Sequence, residues 1–164
     1  MRPTTGPARA RSARLLPLLL LVLAACPAEA ERSLTASVLR VVDGDTIHVR
    51  LDGRVEKVRY IGMDTPEVQH PTRGEEPGGR EASAANRRLV EGRTVRLELD
   101  VQERDRYGRL LAYVHVGALM VNAELVRLGY AQVLTIPPNV RHAELLLRLQ
   151  REARDAGRGL WAGR

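Results

Sequence analysis

Residues 46–61 read TIHVRLDGRVEKVRYI and predict a β-hairpin. Apolar residues at positions 47, 49 and 51 alternate with polar residues at 46, 48 and 50, which is the period of a half-buried strand. The pair Asp52-Gly53 is a two-residue turn signal, and a second strand is expected over Arg54–Ile61. This hairpin makes β-structure the starting point for the whole chain.

The flanking sequence predicts three more strands and three helices. Strand-like patterns begin at Leu34 and recur over Thr94–Leu99 and Leu110–Val116. Helical spacing of apolar residues is found over Arg80–Glu91, Val121–Leu128 and His142–Ala156, and Gln69–Gly79 is expected to be a mobile loop. Five strands interrupted by one helix fit a five-stranded Greek-key barrel of the oligonucleotide-binding type. A half-open sheet packed on helices fits the same pattern.

The N-terminal segment has the layout of an export signal. A basic head is followed by the apolar run Leu15–Ala25, which is too short to span a bilayer comfortably. We expect residues 1–25 to be a signal peptide of the lipoprotein type, because Leu23–Cys26 resembles a lipobox and Cys26 is the only cysteine. An ordinary cut after Ala30 is the alternative. Residues 26–33 are then a tether, and residues 34–164 form one domain.

Removal of the signal changes what the charge implies. The full chain has 26 basic and 20 acidic residues, but four of the arginines lie within the first 25 residues. A chain beginning at Cys26 therefore carries a net charge of only +2. Basic composition is weak evidence for a nucleic-acid partner here, so the argument must rest on where particular arginines lie. A single cysteine also rules out an internal disulfide.

Three polar clusters are candidates for chemistry, and each has a purely structural interpretation. Asp43–Thr46 is either a turn or a site for a hard cation, which two close carboxylates favour. Arg59 with Asp64–Glu67 is either a surface arginine before a proline turn, or a set of oxygen ligands with a further carboxylate. Asp105–Arg109 is either a solvated turn or a contact for a phosphate and its base.

The order of these clusters closely resembles the staphylococcal (micrococcal) nuclease family. The likeness covers Val38–Trp161, with one-residue gaps near Asp100 and near Pro137. Matching segments outside the three clusters are His70-Pro71, Glu81–Ala84, Leu111–Tyr113, Met120–Asn122, Leu125–Arg127 and Trp161. The resemblance implies an α+β, mainly β fold: the five-stranded oligonucleotide-binding-type Greek-key barrel with three α-helices.

The resemblance also implies an activity and a cofactor. A member of this family would be a calcium-dependent nuclease that hydrolyses DNA and RNA on the 5′-oxygen side and leaves 3′-phosphates. By position in the motifs, Asp45, Asp64 and the carbonyl of Thr65 would hold Ca²⁺. These ligands cannot fill six to eight calcium positions, so waters and a phosphate oxygen would complete the shell.

The remaining site residues are implied in the same way. Glu67 would be the general base, or would orient the attacking water. Arg59 and Arg109 would bind the scissile phosphate, and Arg106 and Tyr107 would contact the terminal phosphate of the bound nucleotide.

One position departs from the family pattern. The best-known member of the family presents two aromatic rings to the nucleotide, and the position of the second falls at Thr135 in this sequence. Because base–aromatic stacking contributes about 1–3 kcal/mol per base, nucleotide binding is expected to be weaker here. Ile136 or the prolines beside it would have to supply a replacement apolar surface.

Two other functions fit parts of the pattern. A non-catalytic nucleic-acid-binding barrel of the same fold would have no need of Arg59, Glu67 and Arg109 together. A structural envelope lipoprotein is suggested by Cys26 alone. We therefore expect an exported nuclease, either a cell-envelope lipoprotein anchored to a membrane through Cys26 or a secreted protein. It is expected to be a monomer that prefers single-stranded or unpaired DNA and RNA.

Overall fold

The computed structural model describes residues 32–68 and 74–163. The predicted signal, Cys26 and the pair His70-Pro71 lie outside these residues. The strands are β1 (Ser33–Val41), β2 (Thr46–Leu51), β3 (Arg54–Tyr60), β4 (Met63–Asp64), β5 (Thr94–Glu98), β6 (Leu110–Val116), β7 (Leu119–Met120) and β8 (Gln132–Val133). The helices are α1 (Gly79–Val90), α2 (Val121–Arg127) and α3 (Ala143–Asp155), followed by a 3₁₀ turn over Gly159–Trp161.

Five of the strands close into a barrel. They are hydrogen-bonded in the order β3-β2-β1-β5-β6, and β3 then pairs with β6 in parallel over Val58–Tyr60 to complete the ring. The other neighbours in the ring are antiparallel. The predicted five-stranded barrel with three helices is confirmed, and the half-open sheet is wrong because β3 has a partner on both sides.

The barrel encloses an apolar core. Alternate residues of β2 and β5 point inward, so that Ile47, Val49 and Leu97 are fully buried. Leu125 of α2 and Leu146 of α3 are also fully buried against this core. Burial of each such side chain stabilises the fold by about 1.5–3 kcal/mol.

A short second sheet fixes the segment that follows the barrel strand β3. Gly62 has a φ of 79°, and β4 then pairs with β8 through Met63–Val133 and Asp64–Gln132. Helix α2 holds the same turn, because the Asn122 side-chain amide donates to the Ile61 carbonyl at 2.9 Å. Asp64 and the residues after it are therefore held at one end of the barrel.

The helix and strand bounds lie within a residue or two of the predicted ones, and the short strands β4, β7 and β8 are additional. In residues 32–68 and 74–163, no helix combines the length and the apolar character needed to cross a bilayer.

Candidate active site

All six predicted catalytic and metal-binding residues line one small cavity at the end of the barrel. Its volume is about 120 Å³. The lining residues are Asp43, Asp45, Thr46, Arg59, Asp64, Thr65, Glu67 and Arg109. The first two polar clusters of the sequence thus meet in space, and Arg109 of the third reaches the same cavity.

Asp45 is the most firmly held carboxylate of this cavity. Its Oδ2 accepts hydrogen bonds from the Thr65 backbone N–H at 2.9 Å and from the Thr65 hydroxyl at 3.1 Å. Its Oδ1 accepts a bond from the Thr46 hydroxyl at 3.0 Å. Asp45 and Thr65 are both buried, so these bonds fix the carboxylate against the turn that carries Asp64.

Arg59 joins the two carboxylates that the resemblance assigns to a metal. Its guanidinium forms an ion pair with Asp45, and its Nη2 donates to Asp64 Oδ1 at 2.5 Å. The two carboxylates therefore converge on one positive group, as the oxygen ligands of a hard cation would. Within the described ranges, no three His, Cys, Asp or Glu side chains are already placed to ligate one metal ion.

Asp43 belongs to the same cavity, although the predicted ligand set omitted it. Burial raises the pKa of Asp43, while Arg59 and hydrogen bonds from Thr46 act in the opposite direction. Its backbone carbonyl accepts a hydrogen bond from the buried Asn86 of α1 at 3.0 Å. The sequence signal for Asp43 was its place in the first polar cluster.

Glu67 is exposed on the rim of the small cavity, and its backbone is clamped from two sides. Its N–H donates to Glu76 Oε2 at 3.0 Å, and the Glu76 N–H donates to the Glu67 carbonyl at 2.9 Å. Gly79, the first residue of α1, packs so closely that a Cβ there would lie 2.8 Å from the Glu67 carbonyl oxygen. These contacts were not predicted, because Glu76 and Gly79 were expected to be loop residues.

The turn before β6 is organised by Asp105. Its Oδ1 accepts bonds from the backbone N–H groups of Tyr107 and Arg109, and its Oδ2 accepts the Arg109 Nε–H at 2.7 Å. Burial opposes ionisation of Asp105, but these hydrogen bonds outweigh it, and its pKa lies below the ordinary value. Asp105 thus sets the orientation of Arg109.

Arg106 and Tyr107 lie on the exposed side of this turn. The Arg106 Nη2 donates to the Tyr107 hydroxyl at 2.6 Å, and the guanidinium lies 4.8 Å from the ring centroid. Tyr107 is 68% exposed, and the Arg109 guanidinium also lies 5.5 Å from its ring centroid. Both residues line a larger cleft.

This cleft has a volume of about 470 Å³, and it also contains Arg59 and Arg109. Its apolar wall includes Leu111, Leu134 and Ile136. Thr135, to which the alignment assigns the second ring position, is not among the residues that line the cleft. Its neighbour Ile136 does line the cleft and is 61% exposed, so it is the residue that would supply the replacement apolar surface.

A buried amide connects the two loops that flank the cleft. The Asn139 side chain accepts the Gln102 N–H at 2.7 Å and donates to the Gln102 carbonyl at 2.8 Å. Because Asn139 is only 5% exposed, these bonds are shielded from water. The link fixes the segment with Ile136 relative to the segment with Tyr107.

Another polar cluster, centred on Glu98, lies outside both cavities and was not predicted from the sequence. Glu98 is 2% exposed and bonds to His115 Nε2 at 2.9 Å and to His142 Nε2 at 2.7 Å. The two histidines share no motif in the sequence, and packing of α3 on the barrel brings them together. Burial and the nearby Arg96 lower the pKa of His115, against the opposing effect of Glu98.

Comparison with known proteins identifies the family. Residues 57–163 match the family described as staphylococcal nuclease homologue. This chain belongs to the staphylococcal nuclease family. It is 42% identical to a thermonuclease of Staphylococcus hyicus over 128 residues, which are 78% of this chain and 76% of that protein. A thermonuclease of Staphylococcus intermedius is 41% identical over 76% of this chain and 74% of its own length.

A less similar relative is also named as a nuclease. Endonuclease YncB of Bacillus subtilis (strain 168) is 38% identical over 75% of this chain and 59% of its own length. The predicted family and the predicted enzyme class, a nuclease that hydrolyses phosphodiester bonds, are confirmed by these relatives. A staphylococcal-nuclease-family enzyme has nucleic acid as its substrate. The roles of the individual site residues remain predictions.

Proposed function

We propose that this chain is an exported, calcium-dependent nuclease that cuts DNA and RNA on the 5′-oxygen side and leaves 3′-phosphates. One observation carries the proposal: Arg59 and Arg109 line both the small acidic cavity and the larger cleft. A nucleotide in the cleft would therefore place its phosphate beside Asp45, Asp64 and Glu67.

The two arginines supply the charge that phosphodiester hydrolysis needs. A phosphodiester anion repels an incoming nucleophile, and its negative charge grows at the oxygens in the transition state. Asp105 orients the Arg109 guanidinium before substrate binds, and Arg59 lines the same cavity with its guanidinium against Asp45 and Asp64. Each such donor contributes on the order of 3–4 kcal/mol to transition-state stabilisation in enzymes of known mechanism.

Glu67 is the proton acceptor in this proposal. Glu67 lines the cavity that Arg59 and Arg109 also line. A water that attacks phosphorus would give its proton to Glu67 as the new oxygen–phosphorus bond forms. The bond to the 5′-oxygen then breaks, and that oxygen takes a proton from solvent.

Calcium fits the donor chemistry of the acidic cavity. Asp45 and Asp64 already converge on one positive group, and the Thr65 carbonyl adds a third oxygen, so these three residues would hold the ion. When bound, calcium would add positive charge beside the scissile phosphate.

Export and substrate form are proposals of the same kind. The signal-like residues 1–25 and Cys26 support an exported protein, either lipid-anchored in the envelope or secreted. The exposed Tyr107 ring supports a preference for unpaired bases, because only an unstacked base can lie on it. The monomeric state belongs to the same proposal.

An activity gel with denatured DNA tests the enzymatic proposal. We expect clearing with calcium and none with chelator, and loss of clearing in Arg59→Ala and Arg109→Ala. A protein that binds DNA but never clears the gel would be a non-catalytic barrel. Labelling with a fatty-acid probe, with Cys26→Ser as the control, tests the anchor. A soluble product that begins at Glu31 would contradict lipidation.

A further inference from the structure

A row of positive side chains crosses the outer face of the barrel beside the active site. Arg40 of β1 lies opposite His48 of β2, and His48 lies opposite Lys57 of β3. Arg50 is two residues beyond His48 on the same strand and therefore faces the same side. Residues directly opposite on antiparallel strands have Cβ atoms about 4.5–5.5 Å apart, so Arg40 and Lys57 each lie beside His48. We call Arg40, Arg50 and Lys57 the basic stripe.

The stripe has no acidic partners in the described part of the chain. All three of its side chains are exposed, and none forms an ion pair with a carboxylate within residues 32–68 and 74–163. The adjacent Glu56 is bound instead by Arg104, with nitrogen–oxygen distances of 2.9 and 3.0 Å. Without opposite charges to pair with, these three side chains add no cross-strand stabilisation to the sheet, so stability does not explain the stripe.

His48 lies between Arg40 and Lys57, and its pKa is affected by their positive charges. Its pKa is lowered first by burial and then by the charges of Arg40 and Lys57. The field therefore comes from the two strands on either side of β2, and an anion on this face would relieve it.

The stripe is continuous with the proposed active site. Lys57 and Arg59 are alternate residues of β3, about 7 Å apart along the strand and on the same face. Arg59 in turn lines the cavity beside the scissile phosphate. A polyanion that leaves the active site along β3 would meet Lys57 first and then the rest of the stripe.

We propose that the basic stripe binds the phosphate backbone of the nucleic-acid strand that extends beyond the cleaved nucleotide. The substrate class is long single-stranded DNA or RNA, and the stripe adds affinity that a dinucleotide does not obtain. A polynucleotide substrate occupies the catalytic cleft and can extend from it onto the stripe. An anionic membrane surface does not enter the cleft. The inference rests on the proposed function only in taking the cleft as the site of cleavage.

The main test compares binding and cleavage in one variant, Arg40→Ala/Arg50→Ala/Lys57→Ala. Binding of a labelled long single-stranded oligonucleotide is measured by fluorescence anisotropy in chelator, where no cleavage occurs, over a range of salt. Each phosphate contact to a single strand contributes about 0.7 to the slope of log K against log salt. The slope should therefore fall in magnitude by about 2, and affinity at 0.1 M salt should fall about a hundredfold.

A matched control removes the same charge elsewhere. The variant Arg88→Ala/Arg93→Ala/Arg151→Ala takes three exposed arginines from outside the stripe. This control should keep the wild-type slope of log K against log salt. An equal loss of slope in the control would show that only the net charge matters, and it would refute the proposal. If the triple stripe variant does not fold, Lys57→Ala alone should lower the slope by about 0.7.

Cleavage of a dinucleotide with calcium separates the stripe from the active site. The stripe variant should retain wild-type kcat/KM on this substrate, and a parallel loss would mean that the stripe acts through Arg59. An unchanged salt slope for the long oligonucleotide would overturn the proposal, as would a loss seen only with anionic lipid vesicles. Wild-type protein that fails to cleave the dinucleotide would instead contradict the proposed nuclease site, while the binding result in chelator would stand.

Discussion

Replacement of Gly79 by alanine should slow catalysis without touching the substrate. The new Cβ would lie 2.8 Å from the Glu67 carbonyl oxygen and 2.9 Å from the Glu67 carbonyl carbon. Since ordinary contact begins at 3.4 Å, the Glu67 backbone must move by about 0.6 Å. A displacement of 1 Å in a catalytic group can cost about a hundredfold in rate, so we expect kcat to fall about tenfold.

The assay is steady-state hydrolysis of denatured DNA at saturating calcium, with unfolding measured in parallel. KM should change little, because Gly79 lies outside the cleft. Gly92→Ala is the matched control: its φ of 68° makes alanine unfavourable there, yet no atom lies within 4 Å of the new Cβ. It should lower the free energy of unfolding and leave kcat unchanged. A folded Gly79→Ala enzyme with wild-type kcat would refute the positioning argument.

Four further outcomes are expected. Glu67→Gln should lower kcat by at least about a hundredfold with the fold intact, and near-wild-type turnover at neutral pH would remove the general-base role. Magnesium should replace calcium poorly, because it requires near-octahedral geometry and releases its waters reluctantly; equal turnover in both metals would contradict the site as assigned. Ile136→Tyr should tighten binding of a nucleoside 3′,5′-bisphosphate by about 1–3 kcal/mol in calorimetry, with Thr135→Tyr as a control of smaller effect. Because the pKa of folded His115 is depressed, the unfolded chain takes up a proton at higher pH, so the free energy of unfolding should fall as the pH drops below about 6.5. His115→Gln should reduce that loss in urea titrations at neutral and acidic pH, and an unchanged pH dependence would exclude His115 as its source.

The sequence by itself determined the elements and their order. The predicted bounds of β2 and β6 agree with the structure, because the alternation in β2 and the short apolar run in β6 depend only on neighbouring residues. The order of the polar clusters was enough to indicate the family, which the relatives confirm. Both kinds of information are local in the chain or carried by short motifs.

Only the tertiary structure decided which groups meet. Closure of the barrel depends on the pairing of β3 with β6, and Asp45 is fixed by Thr65, which is 20 residues away. Glu98 and His142 are 44 residues apart and meet because α3 packs on the barrel.

The wall of the cleft also depends on the tertiary structure, because the sequence does not show whether Thr135 or Ile136 faces it. The sequence could not decide between Thr135 and Ile136, because a one-residue gap shifts the alignment there and only the backbone path settles which side chain faces the cleft. That path is set by the bonds between Asn139 and Gln102, which join two loops 37 residues apart. Local periodicity fixes what each segment becomes, whereas contacts between distant segments depend on the packing of the whole barrel.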